Sequence, residues 1–63
     1  MTIKDVTYLA AINHTKVNKF QERVYNVSLY NWLIFDLIEV DNQLMQLTGV
    51  DNQRVPFTFW PIN

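Results

Sequence analysis

Sixty-three residues without a cysteine and with a single histidine, His14, exclude a disulfide staple and make a zinc site improbable. Hydrophobic residues make up 49% of the chain and aromatics 14%, yet a domain of this size buries only about 60% of the surface its unfolded chain exposes. Some apolar surface is therefore expected to be left for self-association or for a partner.

The net charge of −1 is poor for a nucleic-acid binder taken whole, but the charges are unevenly placed. Residues 1–26 hold Lys4, Lys16, Lys19 and Arg23 against Asp5 and Glu22, a net of +2. Residues 27–63 hold Arg54 against Asp36, Glu39, Asp41 and Asp51, a net of −3. One end can face phosphates and the other cannot easily do so. Apolar runs such as Trp32 to Phe35 fall far short of a membrane span, and no basic-then-apolar leader is read at the N-terminus. A cytoplasmic protein that does not engage membranes is the expectation.

In chain order, Thr2 is placed to cap a helix, with Asp5 three residues on. Ile3, Val6, Leu9 and Ala10 follow at helical spacing, so a first helix is predicted over 3–10. Asn13 can cap a second, in which Val17, Phe20 and Val24 form the buried stripe. That arrangement leaves His14, Thr15, Lys16, Asn18 and Lys19 outside. TIKDV, the Leu9–Ala10 pair and Val17 resemble the N-terminal DNA-binding segment of lactose-repressor-type regulators, a helix-turn-helix, over residues 2–20. The resemblance implies that His14, Thr15 and Lys19 meet base edges, with Thr2, Lys16 and Asn18 nearer the backbone. Arg23 adds a further cation to that face. Thr7 and Ala11 depart from the alanine and glycine that the family favours at those places. No sugar-binding domain of the kind those regulators carry is read in the chain.

Beyond Ser28 two regularities compete. Residues 29–47 place most apolar side chains on one half of a helical wheel, with Gly49 as a stop. Against this, VDNQ occurs at 40–43 and again at 50–53, and Asp-Asn tolerates the positive φ of tight hairpins. A hairpin of Leu37 to Val40 with Leu44 to Thr48 is favoured. Arg54 to Trp60 then follows as an edge strand, because Pro56 cannot donate a ladder bond.

The predicted fold is α+β: one domain over 1–63, with a helix-turn-helix at 2–24 and a core-completing, oligomerising part at 28–60. A mainly α fold with a long third helix at 28–48 is the alternative. No cysteine nucleophile, glycine-rich phosphate loop or close carboxylate pair with an adjacent histidine is found, and Ser28 and His14 show no triad arrangement, so neither catalysis nor a cofactor is expected. The leading expectation is a small sequence-specific regulator of the phage or mobile-element repressor or excisionase type, binding double-stranded DNA as a dimer. The rival is a small phage-type inhibitor or adaptor that holds a host or defence protein through an aromatic and acidic surface. Trp32, Phe35, Phe57, Phe59 and Trp60 are the candidate protein contacts, with core filling as their plainer role.

Overall fold

The computed structural model describes residues 3–57. A short helix α1 (Ile3–Leu9) leads into five strands: β1 (Ala11–Val17), β2 (Arg23–Leu29), β3 (Leu33–Val40), β4 (Gln43–Thr48) and β5 (Gln53–Pro56). The strands form one antiparallel sheet in sequence order, a meander with β1 and β5 at its edges. Among the described residues there is no helix-turn-helix. The second predicted helix and the alternative helix over 28–48 are both replaced by strands.

The physical reason lies in the residues themselves. Asn13, His14, Thr15, Val17 and Asn18 are weak helix formers, and only Lys16 among them favours a helix. The Val17, Phe20, Val24 spacing is coincidental, because Val17 and Phe20 are 62% and 66% exposed while Val24 alone is buried. Asn13 caps nothing; it is the extra residue of a β-bulge, where the β1–β2 register shifts between Ile12 and His14. Its amide donates to Asn26 Oδ1 at 2.9 Å and Ser28 Oγ at 2.7 Å. Ala11 begins a strand where a helical corner was expected.

Side-chain alternation divides the sheet into two faces. Tyr25, Val27, Phe35, Leu37, Leu44 and Phe57 share the first with Val6 of α1. Ile3, Val6 and Ala10 present one stripe of the helix to that face. Phe35 and Phe57 stack there with ring centroids 5.3 Å apart, so both fill the core. Val24 and Ile38 point the other way, toward a face with no helix, yet are only 4% and 1% exposed.

The turns follow local chemistry. Asp41 and Asn42 join β3 to β4 at φ 50° and 65°, both positive as a type I′ turn demands. Gly49, just before the second VDNQ segment, and Asn52 within it bracket the β4–β5 loop at φ 64° and 52°. β5 carries Pro56 and is an edge.

Leu37 is fully buried under α1, so Leu37→Ala should cost about 2–5 kcal/mol in urea unfolding. Val50, 97% exposed in a loop, serves as the control: Val50→Ala should stay within about 0.5 kcal/mol.

Candidate interaction surfaces

On a flat sheet β2 and β5, three places apart, would lie about 14 Å from each other. Arg54 of β5 nevertheless reaches Glu22, just before β2, through two bonds of 2.7 and 2.8 Å. Right-handed twist of roughly 20–25° per strand, summed over three steps, coils the sheet until these corners meet. The coil folds over the face that no helix covers.

The β1–β2 loop is built to receive that arginine. Asn18 Oδ1 accepts the amides of Phe20 and Glu22 at 2.9 Å each, an Asx-type turn. Its own amide donates to Glu22 Oε1 at 2.9 Å. Glu22 therefore accepts from Arg54 on one side and Asn18 on the other. The Arg54 guanidinium, and then the Asn18 amide, hold the Glu22 carboxyl below its ordinary range against a weaker opposing pull from partial burial. The same bonds to Glu22 push Arg54 further up.

Beneath this clasp lies a cleft of about 310 Å³. Val24, Ile38 and Leu47 give it an apolar floor, and Phe20 stands at its wall. Lys16, Asp36 and Asn52 supply polar groups. A track of side-chain bonds crosses the sheet to Asp36: Asn13 donates to Asn26, whose amide donates to Asp36 Oδ1 at 2.9 Å. A second hollow of about 350 Å³, beside the β3–β4 turn, is lined by charged and amide side chains, with Val40 its one apolar residue.

A separate surface lies at the β2–β3 hairpin. Tyr30 is 64% exposed, Trp32 73%, Leu33 41% and Ile34 60%. No charged side chain lies between Arg23 and Asp36. Leu33 pairs with Leu29 and Ile34 with Ser28, so the two point to opposite faces and the apolar end wraps around the sheet corner. The turn is strained: Tyr30 and Asn31 hold φ of 59° and 67°. Asparagine accepts that conformation, whereas tyrosine costs about 1–2 kcal/mol.

The residues expected to read DNA do not form one ridge. His14, Thr15 and Lys16 are exposed on edge strand β1. Asn18 is half-buried in the clasp, and Lys19 sits with its ammonium 5.2 Å from the Phe20 ring centroid. Arg23 pairs with Val17 and Lys16 with Val24, which places the two cations on opposite faces. Of the expected protein contacts, Trp32 is exposed, and Phe35 and Phe57 are partly buried against the core. Thr2, Phe59 and Trp60 lie outside the described residues. Sequence reasoning missed Leu33 and Ile34 as part of that surface. The signal was there in the uncharged stretch with an Asn in its middle, a turn residue between strand formers. No helix among the described residues is long and apolar enough to cross a membrane. No protein-family model, curated protein or solved structure matches the chain.

Replacing Arg54 by glutamine removes the largest cause of the lowered Glu22 pKa. The Glu22 carboxyl should then titrate at higher pH in carboxyl-detected NMR. Because Glu22 is depressed in the folded state, the clasp contributes stability above the unfolded-state pKa of glutamate and loses it as pH falls through the folded value. Wild type should lose more stability than Arg54→Gln across that acid window, and an unmoved Glu22 titration would mean that the clasp does not persist in solution.

Proposed function

We propose that this chain is a small, cytoplasmic, non-catalytic adaptor or inhibitor that acts by holding another protein. The contact is the apolar end of the β2–β3 hairpin: Tyr30, Trp32, Leu33 and Ile34. The observation that carries the reading is the strained turn itself. A tyrosine held in left-handed backbone is tolerated at a cost, and such strain concentrates where a side chain is needed in place. Here it accompanies four large apolar groups in water, and Trp and Tyr are the residues that dominate binding energy at protein interfaces.

Groove reading has less support. It depended on a second helix, and that segment is a strand, a loop and a strand. The acidic residues expected to help a protein contact are dispersed: Asp36 on the open face, Glu39 beneath Tyr25, Asp41 in one turn and Asp51 in another. The proposed contact is therefore apolar and aromatic rather than acidic.

Two measurements test this. Tyr30→Asn should stabilise the fold by about 0.5–1 kcal/mol in chemical denaturation, because asparagine suits the turn, and should weaken partner binding. In affinity capture with nuclease-treated lysate, wild type should retain a stoichiometric protein. Trp32→Ala combined with Ile34→Ser should reduce that recovery at least about tenfold while the circular dichroism of the fold is unchanged. Equal recovery by the double variant, or retention of DNA alone from untreated lysate, would remove the reading.

A further inference from the structure

We infer that the cleft under the Glu22–Arg54 clasp is a binding site for a small planar aromatic anion that also carries an N–H donor. This site is distinct from the hairpin end, and nothing in its argument depends on that surface.

The volume limits the occupant. At about 310 Å³ the cleft stands at the low end of small-molecule sites, which run from about 300 to 1,000 Å³. It can take a fused ring system with a short substituent. The floor of Val24, Ile38 and Leu47 asks for an apolar body rather than a sugar or a polyamine. Phe20 asks for a flat one. Its ring is 66% exposed at the wall, where an aromatic guest can stack or meet it edge to face.

The charges decide the sign. Arg54 spends its guanidinium on Glu22, and Glu22 is engaged by Arg54 and Asn18. What remains in the lining is Lys16 and the carboxylate of Asp36, neither of which forms an ion pair among the described residues. Lys19 stands close by, over the Phe20 ring. Lys16 in the lining and Lys19 beside it offer an anionic substituent its counter-charges, at a separate place from the carboxylate of Asp36. Asp36 supplies the opposite need. Its Oδ1 accepts from Asn26, while Oδ2 accepts no hydrogen bond from the described residues and can take an N–H of the guest. The Asn13–Asn26 track fixes that carboxylate from the far edge of the sheet, which is a preorganised acceptor. The ring thus lies against Phe20, its anion reaches Lys16, and its N–H reaches Asp36.

A carboxylate and a phosphate share this chemistry, and the test separates them. The full chain, ¹⁵N-labelled, is titrated with indole-3-acetate, with adenosine monophosphate, and with uncharged indole. Saturable shifts are expected at Phe20, Val24, Asp36, Ile38 and Asn52 with at least one of the two anions. The tighter of the two names the anionic group. Indole should bind at least about fivefold more weakly than indole-3-acetate if the carboxylate is the group recognised, and added salt should weaken the anion. Lys16→Gln and Phe20→Ala change exposed side chains, so the fold is retained, and dispersed amide spectra check this. Each should weaken the anion about five- to tenfold, and Asp36→Asn should weaken it comparably. Absence of saturable shifts with both anions overturns the inference, as does affinity unaffected by Lys16→Gln. Shifts produced only by single-stranded oligonucleotide, along β1 and the loops, would overturn it too and reassign the face to a polymer.

Discussion

The structure depends on a problem of coverage. Val24 and Tyr25 are neighbours in β2, and Leu37 and Ile38 are neighbours in β3, and all four are buried. Successive strand residues point to opposite faces, so the middle of this sheet must be shielded from water on both sides. The chain has one described helix, of seven residues, and it covers one side. The other side is shielded by the sheet itself. Twist brings the β5 corner to the β1–β2 loop, and the bidentate contact of Arg54 with Glu22 fastens it there. Closure by coiling replaces the second layer that a longer chain would supply.

Glu22 belongs to the cationic first third and Arg54 to the acidic remainder, and the fold joins them. The bulge at Asn13 has a related role. It sits on an exposed edge strand, where an extra residue and a lysine discourage pairing with another sheet, and Pro56 does the same at the opposite edge. Both edges are blunted.

What could be read from residues alone follows from the range of the interactions involved. Turns set by two or four residues were legible: Asp41-Asn42 and Asn52 take the positive φ that the Asp-Asn pairs suggest, and Pro56 announces an edge. The first helix was legible because its stripe, Ile3, Val6 and Ala10, faces one surface throughout. The second helix was misread because three apolar residues at helical spacing happened to span a strand, a loop and a strand. Residue chemistry pointed the other way, since Val17, Val24 and Val27 are stiff β-branched side chains suited to a pleated surface. The candidate sites were the least legible part. Lys16, Phe20, Asp36 and Arg54 are spread over 39 residues, and only the coil of the sheet gathers them around one cleft.

The polar interior is settled. No buried side-chain nitrogen or oxygen among the described residues lacks a partner. Each turn except one uses a residue that accepts its backbone or a side-chain bond that supports it. The apolar books do not close in the same way, since Tyr30, Trp32 and Ile34 stay in water on a turn that costs conformational energy to hold. A sequence under pressure for stability alone would place Asn-Gly at such a turn and a charge beside it. That this chain does neither, while its described interior is satisfied, is what favours the contact proposed at Tyr30 and Trp32 over a purely structural role for them.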